Sequence, residues 1–275
     1  MDEITRLKEI SRTLRIDTLK SIYKAKSGHI GGAFSAAEMI AVLYFHTLNI
    51  RPDEPSWPDR DRFILSKGHS APVLYAALAR RGFFPVADLD RLRMADSHLQ
   101  GAPNTKTPGI DMSSGPLGQG LSASVGMAMA ARIDKKDYKV WCMIGDGEMQ
   151  EGQIWEAAMT AGKYKLRNLV CILDHNGCQM SGTNEELMPL GDPGNKFKAF
   201  GFRIVRIPDA NDIESVIETF DNLWDTDDDR PIAIIAETVK GKGVSFMEGL
   251  PKWHGLVPSD DEYSQALKEL EEDAV

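Results

Sequence analysis

Ile4, Leu7, Ile10 and Leu14, with Ile22 in phase, keep a helical period, so the chain opens on an amphipathic helix over residues 3–25. That pattern stops at the turn SGHIGG (27–32), and AAEMIAVLYFHTL (36–48) predicts a second helix with Ser35 as its N-cap. RPDEPSWPDRD is a loop by its prolines and charges, RFILS (62–66) a short strand, and SAPVLYAALARRG (70–82) a helix closed by glycine. Residues 93–118 are rich in Gly, Pro and Ser and carry no period, and a loop of that length inside a compact domain is usually functional or disordered. It runs into QGLSASVGMAMAARI (119–133), whose small residues predict a tightly packed, buried helix.

From there apolar runs alternate with helical patterns: KVWCMIG (139–145) strand, GQIWEAAMTAGKY (152–164) helix, NLVCILD (168–174) strand, FRIVRI (202–207) strand, DIESVIETFDNLWD (212–225) helix and PIAIIAET (231–238) strand. Continuous apolar strands separated by amphipathic helices predict an α/β fold, a doubly wound, mostly parallel sheet with helices on both faces. One domain is expected over residues 1–275, ending in an acidic, solvated helix over 258–275. In such sheets ligands sit beyond the carboxyl ends of the strands.

Composition narrows the partners. With 42% apolar and 27% charged residues the chain is an ordinary globular protein, and no stretch approaches the roughly 20 apolar residues of a membrane span. A net charge of -9 argues against nucleic acid, which needs a basic face. Any anionic ligand therefore needs local help from a metal, helix N-termini or histidines. Cys142, Cys171 and Cys178 form no CxxC or zinc pattern, and as an odd set partly inside apolar runs they suit reduced thiols in the cytoplasm.

The stretch CMIGDGEMQEG (142–152) holds the chemistry. Asp146 lies between Gly145 and Gly147 just past one strand, and the next strand of the same βαβ unit ends in Asp174-His175-Asn176. Neighbouring parallel strands run ~4.8 Å apart, so Asp146 and Asn176 emerge at one edge. Their carboxylate and amide oxygens, with the Cys178 backbone carbonyl offered by the Gly177 turn, make three hard ligands for a magnesium ion carrying a diphosphate. Either turn alone would be ordinary; both on consecutive strands are specific.

With SGHIGG (27–32), DRFILSKGH (61–69), TPGIDMSSGPLGQG (107–120), DHNGCQ (174–179) and KGKGVSFMEGLPKWHG (240–255), these motifs cover nearly the whole chain. In this set it resembles the thiamine diphosphate-binding (PP) domain of the transketolase family. The resemblance implies thiamine diphosphate as cofactor with Mg2+, or Ca2+ or Mn2+ in its place. It implies Asp146, Asn176 and the Cys178 carbonyl as metal ligands, Gly145 and Gly147 beside the diphosphate, and Gly115 and Leu117 against the aminopyrimidine and linker. His69 falls near the diphosphate, His29 and His254 trade protons with the donor sugar, and Glu151 is an acid at the subunit interface. His46 and His175 are read as structural, and Met127, Met129 and Trp155 as core.

Two residues depart from the family, Ala102 and Ser181, the latter standing where the family often has an aspartate, and one larger element is absent. Gly101-Ala102-Pro103 stands where split members carry Gly-His-Pro, which puts the donor sugar in question, and His98 is the imidazole a shifted loop could supply instead. The glutamate that activates the aminopyrimidine belongs to a separate pyrimidine-binding domain not seen in this sequence. The resemblance therefore implies the N-terminal subunit of a split transketolase, completed by a partner carrying the pyrimidine-binding and third domains in an α2β2 assembly. It would transfer a two-carbon ketol unit from a ketose phosphate or other anionic sugar to an aldose. Competing readings are a subunit like deoxyxylulose phosphate synthase or the α subunit of a 2-oxo acid dehydrogenase, or a non-catalytic paralogue.

Overall fold

In the computed structural model, which describes residues 1–272, the apolar runs become the five strands of one parallel sheet. In chain order the elements are α1 (Glu3–Ala25), α2 (Gly31–Ser35), α3 (Ala37–Val42), β1 (Arg62–Leu65), α4 (Ala71–Arg81), α5 (Gln119–Ile133), β2 (Val140–Gly145), α6 (Gly152–Tyr164), β3 (Leu169–His175), α7 (Asn184–Leu187), α8 (Pro193–Ala199), β4 (Arg203–Ile207), α9 (Ile213–Asp221), β5 (Ile232–Glu237) and α10 (Asp260–Glu272). The strand order is β1-β2-β3-β5-β4.

Strand side chains alternate between two cores, as the period of two requires. Trp141, Met143, Val170, Ile172, Ile232 and Ile234 face the core shared with α1, α3, α4 and α9, while Cys142, Ile144, Cys171, Leu173, Ala233 and Ile235 face the core shared with α5, α6 and α8. Covering both faces is why these strands read as unbroken apolar runs. Gly145 pairs with Asp174 and Asp174 with Ala236, so the carboxyl ends of β2, β3 and β5 finish level with one another.

Several boundaries differ from the sequence reading. Gly31 and Gly32 belong to a helix rather than to the turn, and Ser35 is not an N-cap: it lies in α2, and its hydroxyl donates to Asp174 Oδ2 at 2.7 Å. The second predicted helix ends in a π-helical turn, Leu43–Thr47, where His46 bridges Glu3 and Asp221. Helix α5 is not wholly buried. One face packs, through Leu121, Val125, Ala128 and Ala131, and the other leaves Gly126 and Ile133 open to solvent. Short helices α7 and α8 were not foreseen, because their polar residues carry no period. The acidic tail is less solvated than expected: Ala266 and Leu270 are buried, and Tyr263 stacks on Tyr23 of α1 at 3.9 Å. Its predicted end, 273–275, lies outside the described residues.

Candidate active site

Beyond the carboxyl ends of β1, β2, β3 and β5 lies a cavity of about 310 Å³. Ten of the residues singled out in the sequence line it: His29, His69, Gly115, Leu117, Gly145, Asp146, Gly147, Asn176, Cys178 and His254. Glu151 does not; it is exposed at the start of α6, its Cβ beneath Gly118. Only segments that are distant in sequence could build this wall. The helix start at Gly31 comes so close to the 251–254 turn that a Cβ there would lie 2.9 Å from the Trp253 carbonyl oxygen.

Asp146 is buried, and neither of its carboxylate oxygens has a hydrogen-bond partner. Burial pushes its pKa up to about 6, with the nearby Asp174 charge acting in the same direction; His175 acts against it, as do the Asn184 amide and the Gly177 N–H, which face the carboxylate from beyond hydrogen-bond geometry. A buried carboxylate without donors costs folding energy, so its position calls for a cation. Asn176 stands ready beside it. Its Nδ2 donates to Asp174 Oδ2 at 3.0 Å and its Oδ1 accepts from the Cys178 N–H at 3.2 Å, leaving a second lone pair on Oδ1. Among the described residues no three His, Cys, Asp or Glu side chains cluster for a metal, so an ion here would rest on one carboxylate, one amide and backbone carbonyl. That oxygen-only set fits magnesium, which completes its shell with water and phosphate.

Three imidazoles meet across the cavity, with ring centroids 5.3 Å apart for His29–His69 and His29–His254, and 4.8 Å for His69–His254. Burial, then neighbouring cationic and imidazole groups, lowers the pKa of His69 to about 2 and of His254 to about 3; burial, Arg93 and Lys240 lower that of His29. All three are therefore neutral donors and acceptors at working pH. The sign of the linkage is fixed: stability from these neutral rings is full above the unfolded value near 6.5 and is lost as pH falls toward 3. Nitrogen NMR of labelled histidine is expected to find His69 and His254 unprotonated at about pH 5, where an ordinary histidine is charged; protonated rings there would contradict the burial argument.

Lys67 and Lys240, 2% and 1% exposed, also line the cavity and were missed in the sequence, where a lysine among glycines reads as a solvated loop residue. They give an acidic chain a local positive wall suited to a diphosphate. Asp174 is fully buried and gathers the site together. It pairs with Lys67, which also donates to the Gly32 carbonyl at 2.6 Å, and it accepts hydrogen bonds from Ser35, Thr238 and Asn176. Burial pushes the Asp174 carboxyl up, but the Lys67 ammonium and the hydroxyls hold it below the usual range. Glu148 anchors the long loop in the same way, accepting from Ser66, from Gly118 N at 2.9 Å and from Gly145 N at 3.2 Å.

The loop around the departure from the family is rigidly held. Tyr75 donates to the carbonyls of Gln100 and Ala102, and Ala102 packs beside Gly115. His98 does not replace the absent histidine: it turns to Asp88 at 3.2 Å and lies edge-on to Phe84, away from the cavity. His175 pairs with Glu237, a structural contact at the strand end.

Comparison with known proteins agrees with this geometry. A family described as "Transketolase, thiamine diphosphate binding domain" matches residues 6–273. The chain is 45% identical over 251 residues to one of the subunits of the apulose-4-phosphate transketolase of Phocaeicola vulgatus, covering 91% of this chain and 89% of that one. It is 41% identical to a 6-deoxy-6-sulfo-D-fructose transketolase subunit of a Clostridium species, covering 97% of each. The crystal structure of Campylobacter jejuni transketolase superposes with a TM-score of 0.91 at 32% identity, over 100% of this chain and 43% of that one. The chain thus spans nearly the whole of the two named subunits and less than half of the Campylobacter jejuni chain.

Proposed function

The chain belongs to the transketolase family as its thiamine diphosphate-binding domain, and from that premise we propose that it is the N-terminal subunit of a split transketolase. The observation that carries the reading is the partnerless Asp146 carboxylate in a cavity it shares with three neutral imidazoles and two buried lysines. Thiamine diphosphate, when bound, supplies a nucleophilic carbon and an electron sink for moving a two-carbon ketol unit from a ketose to an aldose. Asp146, Asn176 and the Cys178 carbonyl would hold Mg2+, with Gly145 and Gly147 allowing close backbone approach. His69 and the two lysines would donate to the diphosphate, and Gly115 and Leu117 would support the aminopyrimidine side. His29 and His254 would exchange protons with the donor sugar's hydroxyls. Glu151, exposed beside the long loop, would belong to the subunit interface.

The named relatives act on ketoses with a terminal anion, a phosphate or a sulfonate, which supports an anionic ketose as donor here. Ala102, beside Gly115, would leave the C1 end of a donor without the imidazole that split members often supply, which supports a donor other than the usual pentose phosphate. The three cysteines are free, as the reducing cytoplasm would keep them. The partner would carry the pyrimidine-binding and third domains in an α2β2 assembly. Exposed Met180 lines the cavity, Leu250 and Leu256 flank the turn that carries His254, and Leu187 and Met188 are exposed at the end of α7, a few residues beyond Met180; this apolar surface supports docking there. Met188→Glu is expected to weaken association by about 1–3 kcal/mol without unfolding the chain, as read by sedimentation of the mixture; unaltered association would move the interface elsewhere.

Calorimetric titration of thiamine diphosphate with magnesium, together with assays of ketol transfer between sugars and of carbon dioxide release from pyruvate, on the chain alone and mixed with a protein resembling the rest of a transketolase, tests the whole reading. Ketol transfer in the mixture only is the expected result. Tight binding by the lone chain with no gain from a partner would overturn the split-enzyme reading, and carbon dioxide release from pyruvate would overturn the reaction class.

A further inference from the structure

Lys240 Nζ stands 3.0 Å from His254 Nδ1 and also donates to the Gln179 carbonyl at 3.3 Å. The lysine is 1% exposed, so water does not compete for either contact. An ammonium has three hydrogens and no lone pair, so the ring nitrogen that faces it must be the one without a proton. A neutral imidazole then carries its single proton on the opposite nitrogen.

We propose that Lys240 is a positioning residue that fixes His254 in its Nε2–H tautomer, so that His254 presents a hydrogen-bond donor to the cavity and His29 is the imidazole left to accept a proton. His254 is neutral in the fold, which is the condition for a tautomer to matter. Burial works against the charge on Lys240 and Lys67 repels it, while Cys178, Asp174 and Asp146 favour it. The lysine thus keeps protons to donate in both of its contacts. His29 makes no such contact: Arg93 and Lys240 are near enough to disfavour its charge, but its Nδ1 is buried without a hydrogen-bond partner, so no donor fixes which of its nitrogens is bare. The two rings would otherwise be interchangeable across 5.3 Å, and the lysine makes them different. A proton taken by His29 leaves its electron pair on the substrate oxygen, and an Nε2–H from His254 can stabilise a neighbouring oxygen at the same time.

The role of the two rings rests on the transketolase reading; the tautomer does not. The test is therefore long-range proton–nitrogen NMR on the full chain with nitrogen-15-labelled histidine at pH 7, with His254 assigned through His254→Gln. In the unsubstituted chain His254 is expected to show Nε2–H over Nδ1–H by roughly tenfold or more, the factor that about 1.4 kcal/mol of hydrogen-bond preference produces. Lys240→Arg keeps that ratio. Lys240→Glu reverses it, because a carboxylate accepts from Nδ1–H, and Lys240→Met lowers it and lets His254 protonate at least one pH unit higher. Nδ1–H as the main form in the unsubstituted chain overturns the proposal, as does an unchanged ratio and protonation midpoint in Lys240→Met; these two suffice if Lys240→Glu does not fold. The readout uses no cofactor, partner or turnover, so absence of ketol transfer in the mixture would remove the proposed function and leave the tautomer result standing.

Discussion

Replacing Asp146 by Asn is expected to stabilise the metal-free chain while lowering its affinity for thiamine diphosphate with magnesium by about a hundredfold or more. Both effects have one cause. The carboxylate is buried with no close donor to either oxygen, and its pKa is raised to about 6, so near neutral pH the fold carries a charge that neighbouring His175 and Lys240 offset only in part. A group with a raised pKa stabilises the fold when protonated, and that contribution is lost as pH rises through about 6. The amide has the same shape and no charge, so Asp146→Asn should gain about 1–3 kcal/mol in urea unfolding at pH 7 and little at pH 4. Against this, a carboxylate ~2.1 Å from a cation is worth about 2 kcal/mol even at the dielectric of water and about 8 at an effective value of 20. Equal or lower stability of the variant at pH 7, or unchanged cofactor affinity in calorimetry, would remove Asp146 from the metal site.

The second large effect is expected at the opposite kind of group, one that the chain does balance. Lys67 and Asp174 are 2% and 0% exposed, and Lys67→Met leaves the carboxylate buried without its counter-charge. The expected loss is about 3–5 kcal/mol in urea unfolding monitored by circular dichroism. Adding Asp174→Asn should recover part of it, because the lone charge goes while the hydroxyl donors Ser35 and Thr238 keep an oxygen to bind. The Asp174 pKa lies below its ordinary 3.8, so the stability it contributes is present above about pH 4 and is lost as pH falls further. A loss under about 1 kcal/mol would mean that the hydroxyls and the Asn176 amide suffice to hold Asp174, and that Lys67 is placed for the ligand alone.

These two acids, 28 positions apart in sequence, lie within one turn of neighbouring strand ends, and they were read with unequal success. Asp146 was legible because a strand ending in Gly-Asp-Gly is a local signal: the apolar run gives the strand, the glycines give the turn, and the acid between them has no local partner. Asp174 sits in an equally apolar run, but what it does depends on Lys67, Ser35 and Thr238, which arrive from three other segments. No periodicity encodes that meeting.

What the sequence by itself determined is the set of properties written over short distances. Apolar runs alternating with amphipathic helices specify a parallel sheet covered on both faces, and the ordered motifs from SGHIGG to KWHG identify the family and ten of the residues that line its cavity. Tertiary structure alone decided how those residues differ from one another. It buried Lys67 and Lys240 in what read as glycine-rich loops, turned His98 away to Asp88, left Glu151 outside the cavity and committed Ser35 to Asp174 in place of a helix cap. The physical reason is that helix and strand formation depend on neighbours within a turn or two, whereas charge state, tautomer and burial depend on every group within about a Debye length, about 8–10 Å in physiological salt, whatever its place in the chain.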